Sequence, residues 1–485
     1  MKTSKVLATL VMMWLGGTLL AGCAAPPAGT PSQEPTAAPP TLLATPTTPG
    51  APLVLFGWDE TRGRVVRAVD PLTGQNAPGY APLPIAGGRD DMFMTPQVFA
   101  PDGRSLALLD VAGQFCYPYA GGSTCGPRSS VVYLVDFATW AIRPVPLPLK
   151  GWASPMAFSP DGRRLAVAVR DDAGENTLLL IDIATATTTA RGSLPFAPSR
   201  LGFGGDGATL VVYGQPEGDQ AGMSPPPPPR ILLLDAATLA TTWQTPLDEV
   251  VSGHWCVEQC DGDFGVRKMI SVVPGVALSP GGATLAIVHA DAERLTTVDL
   301  AARAVRTTPI RAPAAWIDRL LTLTAGVAHA KGPMDSFART AVFSPDGSRL
   351  YVSGYDFTMT ANDAGGWDVA EEMSPVRVVD LMSGRVLAEA EVSSYSLRLM
   401  PDGRLVVLDL SNNATVTTIL DAETLAVVAR VEGHHVVNVA DLQGVTRFVA
   451  QSLRHRRTDF TVFDPLTFAP LANWSADGPA WLAAE

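Results

Sequence analysis

Short apolar runs separated by polar turns repeat along the chain from Leu53 onward, and they come in two kinds. The first kind follows an Asp-Gly turn. "AFSPDGRRLAVAV" (Ala157–Val169) returns as "FAPDGRSLALL" from Phe99, "FSPDGSRLYVS" from Phe343 and "LMPDGRLVVLD" from Leu399. Altered copies are "FGGDGATLVVY" from Phe203 and "LSPGGATLAIV" from Leu278. Proline suits the second position of a type I turn, Asp the third, and Gly the positive φ that closes a hairpin. Each copy therefore predicts a strand A, a tight turn and a strand B.

The second kind of run ends in Asp and enters a turn. The eight copies are "VVRAVDPLTG" (Asp70), "VVYLVDFATW" (Asp136), "LLLIDIATAT" (Asp182), "ILLLDAATLA" (Asp235), "LTTVDLAARA" (Asp299), "VRVVDLMSGR" (Asp380), "VTTILDAETL" (Asp421) and "FTVFDPLTFA" (Asp464). These predict a strand C, a turn and a strand D. In the strand after Gly162, Leu165, Val167 and Val169 point one way, and Ala166 and Ala168 the other. Both faces are apolar, so both must be covered, as in a sheet stacked between neighbouring sheets. The steps from Asp380 to Asp421 and from Asp421 to Asp464 fit a bare four-stranded propeller blade of ~40–45 residues. Longer steps, such as Asp299 to Asp380, must carry insertions.

The combination "SPDGxxLxV…VxDxxTG" resembles the YVTN and WD40-like propeller repeats of exported bacterial proteins, over nearly all of 53–485. The resemblance implies an all-β chain folded as a single β-propeller. Eight strand-C motifs favour eight four-stranded blades. Blade one has only "LVLFGW" (Leu53–Trp58) before its strand C and so lacks a strand A. The apolar "GPAWLAAE" (Gly478–Glu485) is expected to supply it and close the ring, because an open ring exposes sheet edges. Seven blades is the alternative, with the N-terminal hairpin packed outside.

The start of the chain is different. "MKTSKVLATLVMMWLGGTLLAGC" places Lys2 and Lys5 before an apolar run from Val6 to Ala21, the pattern of an export signal and too short for a membrane-spanning helix. Its end, "LAGC" (Leu20–Cys23), resembles the lipobox of bacterial lipoproteins. That implies a signal peptide over 1–22, cleavage before Cys23 and diacylglycerol on its sulfur. Ala24 stands where an inner-membrane retention signal would place Asp. Residues 23–52 then form a linker with nine prolines among Ala, Thr and Gly, read as a disordered tether. The propeller occupies 53–485. The expected location is the cell envelope, anchored to the membrane through lipid on Cys23 and facing the periplasm or the exterior.

Composition adds two constraints. The formal net charge is −12, which argues against nucleic acid as a partner. Four cysteines remain besides Cys23, an even number that favours disulfides in an exported chain. Cys116–Cys125 and Cys256–Cys260 are the simplest of three connectivities, and the three residues inside "CVEQC" are one too many for a zinc knuckle.

Propeller connectivity sorts the loops. The A–B and C–D turns lie on one face and are short. The B–C and D–A connections lie on the other and carry the insertions 81–97, 110–130, 214–230, 246–275, 309–340 and 354–375, with both cysteine pairs and all six histidines. Long loops on a rigid ring are where function usually resides. Asp261 and Asp263 of "CDGDFG" could contribute to a Ca²⁺ site, although the other ligands of a calcium loop are missing. His254, His329, His434 and His435 could ligate Zn²⁺, although none keeps a ligand spacing. Arg454, Arg456 and Arg457 of "RHRRTD" could grip a carboxylate or phosphate. The plain alternative at each is a solvated loop residue. "SPPPPPR" (Ser224–Arg230) reads as a stiff polyproline segment. No G-x-S-x-G, H-E-x-x-H, Walker loop or dinucleotide fingerprint is present. The expected function is that of a monomeric, non-catalytic binding or scaffold protein for a protein, peptide or glycan. The alternatives are a lactonase-like hydrolase with a metal at the channel mouth, or a sensor of a small ligand.

Overall fold

Strand B of the third blade, Arg164–Asp171, shows why the chain folds as it does. Leu165 to Val169 are buried on both faces of the sheet. Val167 and Leu165 join Leu109, Val132 and Leu134 of the preceding blade, while Ala166 and Ala168 join Leu210, Val212 and Leu232 of the following one. Each fully buried Leu or Val contributes about 1.5–3 kcal/mol, so the sheets must stack. The computed structural model describes residues 52–482 apart from 60–62, 86–96, 113–128, 149–150, 172, 217–224, 259–267, 312–333, 362–366, 395, 401, 410–415, 433–434, 441–445, 455–456 and 477–479. It is an eight-bladed β-propeller with eight sheets, and every described regular element is a strand.

The ring closes as the apolar pattern predicts. Ala480–Leu482 pairs antiparallel with Leu53–Asp59, matching Leu55 to Leu482 and Gly57 to Ala480. Leu482 and Ala480 are buried in one cluster with Leu53, Leu55, Val449 and Phe460, which joins the last blade to the first. The missing strand A of blade one is thus the end of the chain.

The repeated polar residues are turn chemistry. In Ser159-Pro160-Asp161-Gly162 the Gly162 amide donates to the Ser159 carbonyl at 2.8 Å, and Gly162 takes φ +67°. The Ser159 hydroxyl donates to Asp161 Oδ1 at 2.6 Å and accepts from the Arg164 amide at 2.9 Å. Ser344, Asp346 and Arg349 repeat this arrangement. At the C–D turns the Asp carboxylate accepts the amides that follow it: Asp235 Oδ1 receives the Ala237 and Thr238 amides at 3.1 and 2.8 Å and the Thr238 hydroxyl at 2.7 Å.

Four positions after each of these Asp residues the backbone turns left-handed. Glycine serves at Gly74 and Gly384, but Trp140, Ala186, Leu239, Arg303, Leu425 and Phe468 hold φ between 47° and 57°. Left-handed backbone costs an L-residue about 1–2 kcal/mol. Several of these side chains recover it by burial: Leu239 packs with Phe203 and Leu234, Leu425 with Val376 and Leu420, Phe468 against Phe448. At Gly74 the space is taken from the other side, since a Cβ there would lie 2.4 Å from the Trp474 ring. Trp474 caps the junction by donating its indole N–H to the Pro71 carbonyl at 3.0 Å.

One blade departs from the four-stranded expectation. Seven sheets have four strands, but blade six has six. Its own strands are Met334–Phe343, Arg349–Ala361, Trp367–Asp380 and Val386–Ser393. The two extra strands, Gly253–Glu258 and Lys268–Val273, come from the connection between blades four and five. Insertions expected as loops at 246–275 and 354–375 therefore contribute strands to this sheet.

Candidate functional site

Two features of blade six build the site. Its strands B and C run 13 and 14 residues, well beyond the core of the blade, so their ends project as a hairpin. The ladder between them shifts register between Val352 and Gly354. A Cβ on Gly354 would lie 2.1 Å from the Ala338 carbonyl, so only glycine fits where the strand is re-aimed. Inside, Lys268–Val273 pairs in parallel with Met334–Phe343, setting Ile270 beside Asp335 and Val272 beside Phe337.

These registers place two cross-strand rows on one face of the sheet. The first is Trp255, Ile270 and Asp335; the second is Val272, Phe337 and Asp356. Arg339 follows two residues after Phe337 on the same side. Opposite stands the B–C turn of blade five, Ala290–Glu293, together with Val251. Between them lies a cavity of about 590 Å³. Its floor is apolar and partly aromatic, with Trp255, Ile270, Val272, Ala290, Phe337 and Val251, while Asp291, Glu293, Asp335, Arg339 and Asp356 supply the polar wall. Convergent polar groups over an apolar floor in a pocket of this size suit a small ligand or an anchoring side chain.

The polar wall is fixed by ion pairs. Arg339 forms a two-pronged pair with Asp356, Nη1 to Oδ1 at 2.6 Å and Nη2 to Oδ2 at 3.3 Å, and also reaches the Ala338 carbonyl at 3.0 Å. Such a planar fork holds both groups in one geometry. Arg377 donates from Nη1 to both Glu293 oxygens at 3.1 and 3.0 Å, and from Nε to Glu389 at 2.7 Å. This ties the blade-five turn to strand C of blade six. Behind the turn, His289 is buried, with Nε2 2.8 Å from the Thr296 hydroxyl, which is 3.0 Å from that of Thr307. Burial pushes the His289 pKa below its ordinary value, with the Arg294 charge adding to the effect and Asp291 opposing it.

The residues singled out from the sequence stand elsewhere. His254 is exposed on the edge strand Gly253–Glu258, opposite Ser271 and on the other side of the sheet from Trp255. Cys256 is buried on that strand and is disulfide-bonded. Arg457 opens strand C of blade eight and is exposed; His435 and Arg454 lie at strand ends of the same blade, where only the backbone is described. Cys23, Cys116, Cys125, Cys260, Asp261, Asp263, His329, His434 and Arg456 lie outside the described residues. Among the described residues no three His, Cys, Asp or Glu side chains stand where they could hold a metal ion. The cavity residues Trp255, Asp335, Phe337, Arg339 and Asp356 carry no motif, and the one trace of them in the sequence is the strand-like alternation of "YVSGYDFTMTA" (Tyr351–Ala361) running longer than a blade needs.

Comparison with known proteins agrees on fold. No protein-family model and no curated protein matches the chain. Among solved structures, the dihydro-heme d1 dehydrogenase NirN in complex with DHE is similar at 14% identity and a TM-score of 0.50, covering 91% of this chain and 78% of that one. The β-propeller domain of Cps50 (Swd1) from Myceliophteria thermophila is similar at 12% identity and a TM-score of 0.40, covering 81% and 98%. The C-terminal WD40 domain of Sif2 is similar at 10% identity and a TM-score of 0.45, covering 79% and 86%. Identities this low speak for architecture at most, and the closed ring of eight sheets itself makes the chain a β-propeller.

Proposed function

We propose that the chain is a lipid-anchored, extracytoplasmic propeller that binds a partner, a protein, peptide or glycan, without transforming it. The observation that supports this reading is the gathering of separate insertions into one structure. The connection between blades four and five adds two strands to blade six, blade six projects a hairpin, and together they border the 590 Å³ cavity, while among the described residues the opposite face carries tight turns. The leader ending in "LAGC" and the proline-rich linker support attachment through Cys23. An enzymatic reading rests on fold alone: NirN, a dehydrogenase by its name, is also a propeller.

Two measurements test the proposal. A photo-crosslinking residue at Glu372, exposed on the projecting hairpin, should give a discrete adduct in cells, and one at Glu423, exposed on a C–D turn of the opposite face, should not. Adducts from Glu423 alone would refute the choice of face. Cys23→Ser should move the protein from membranes to the soluble fraction; retention on membranes would refute the anchor.

A further inference from the structure

Resting on the lipid anchor proposed above, we infer that the face of the A–B and C–D turns docks on the bilayer through an arc of exposed apolar residues on blades six, eight and one, which turns the cavity-bearing face away from the membrane. The apolar residues are unevenly shared around the ring. Two positions after the strand-ending Asp, at the tip of each C–D turn, blades two to five carry Ala138, Ala184, Ala237 and Ala301. Blades six, eight and one carry Met382, Leu466 and Leu72 there, exposed by 70%, 68% and 45%. The outer strands repeat the bias. Their second residue is an exposed Val305, Leu387, Val428 or Leu471 in blades five to eight, against Thr188 and Thr242 in blades three and four. Among the described residues, blades two to four expose no large apolar side chain. Apolar surface gathered in this way marks a contact with something other than water.

The shape of the arc selects its occupant. Met382, Leu466 and Leu72 hold the same position in equivalent turns, so the ring sets them at one height around its rim, with the exposed Glu423 of blade seven between the first two. A globular partner needs one contiguous, complementary patch. A bilayer surface is planar, accepts wide spacing, and leaves Glu423 among hydrated headgroups. The tips are also stiff. Asp70 Oδ1 accepts the Leu72 and Thr73 amides at 2.9 and 2.8 Å, and Asp464 Oδ1 the Leu466 and Thr467 amides at 2.9 and 2.7 Å. Trp474 of blade eight donates to the Pro71 carbonyl of the blade-one turn at 3.0 Å, and Arg404 of blade seven donates to the Pro465 carbonyl of the blade-eight turn. Such pre-set tips lose little freedom on meeting a surface.

The chain enters the ring on this same side. Leu53, at the start of strand B of blade one, is in register with Val69, the residue before the Asp70 turn. The chain upstream of Pro52 therefore joins the ring beside the turn that carries Leu72. Between Cys23 and Pro52 lie residues 24–51, which at about 3.1 Å each span at most ~90 Å. A bilayer holding Cys23 is thus kept near the arc, and the high effective concentration lets a few modest apolar contacts suffice. With a formal net charge of −12, apolar contact rather than attraction to anionic lipid must supply the docking.

Purified lipidated protein in phosphatidylcholine liposomes tests this, with an aliphatic diazirine residue in place of Leu466, Ala184 or Glu372 and lipid adducts read by mass. Leu466 should give at least fivefold more lipid adduct than Ala184, the same turn position on blade three, and Glu372 on the cavity-bearing face should give none. Met382→Ser together with Leu72→Ser should lower the Leu466 adduct at least threefold and leave the urea midpoint unchanged, since both side chains are exposed. Equal yields at Leu466 and Ala184 would show lipid met only by collision at the end of the tether and would overturn the inference. So would the absence of a Leu466 adduct, or an adduct of Leu466 with a second copy of the chain in place of lipid. Flotation with the liposomes reports the anchor separately. A chain that floats without the Leu466 adduct loses the docking and keeps the anchor. A Cys23→Ser chain that floats as well as the parent until Leu72 and Met382 are replaced loses the anchor and keeps the docking.

Discussion

Replacing left-handed non-glycine residues with glycine should have opposite effects depending on what the side chain touches. Arg303 and Leu425 occupy the same position in their turns, four residues after Asp299 and Asp421, at φ 55° and 56°. Glycine removes a left-handed penalty of about 1–2 kcal/mol and adds back about 0.5–1 kcal/mol of unfolded-chain entropy. For the exposed Arg303, the balance of these two terms is a gain of about 0–1.5 kcal/mol. Leu425 is buried among Val376, Leu405 and Leu420, and truncating a buried Leu costs about 2–5 kcal/mol, which exceeds the relief. Arg303→Gly should therefore raise the urea midpoint slightly and Leu425→Gly should lower it strongly, with unchanged m-values. If the two variants lose comparable stability, the reasoning fails: the left-handed position would then be maintained by something other than inter-blade burial.

Two further outcomes test the closure and the turns. Leu482→Ala, which hollows the cluster joining the last blade to the first, should cost about 2–4 kcal/mol by urea unfolding; a loss under about 0.5 kcal/mol would show that the terminal strand does not seal the ring. The Ser344 hydroxyl and the Ser348 amide hold the Asp346 pKa down to about 2, against 3.8 ordinarily. Its contribution is thus present above about pH 4 and lost as pH falls through 2, because the unfolded chain takes up the proton first. The thermal midpoint should drop across that window, and Asp346→Asn should flatten the drop while lowering the midpoint at neutral pH.

The fold was legible because its signals are local. The Asp-Gly turns, the strand-ending Asp residues and the unmatched "LVLFGW" and "GPAWLAAE" each report a hydrogen-bonding need met within a few residues, or an edge that must be covered. The left-handed turn position was not legible, since only Gly74 and Gly384 announce it and the other six are non-glycine residues, of which Leu239, Leu425 and Phe468 are compensated by burial. Nor was the cavity. "KMISVV" and "MDSFA" fell inside insertions expected as loops, their parallel pairing passes over the whole of blade five, and no spacing rule links Trp255, Asp335 and Asp356. The residue types that usually signal chemistry, the histidines and the paired aspartates, drew attention to the face that carries the cavity but to other positions on it. His254 turns away from the cavity, and His289 is occupied with Thr296.

The pairing of Lys268–Val273 with Met334–Phe343 also changes how the ring is connected. Blade five, Gly275–Pro309, lies in sequence between two strands that are hydrogen-bonded directly to each other. It is in effect a cassette inserted between its neighbours. In the other blades, loss of one sheet severs the path from the blade before to the blade after. Here a second, backbone-level path bypasses the sheet, so blade five can fray or rotate while blades four and six stay tethered. The one wall of the cavity that it contributes, Ala290–Glu293, is held to blade six by the Arg377–Glu293 pair as well as by this backbone path around it.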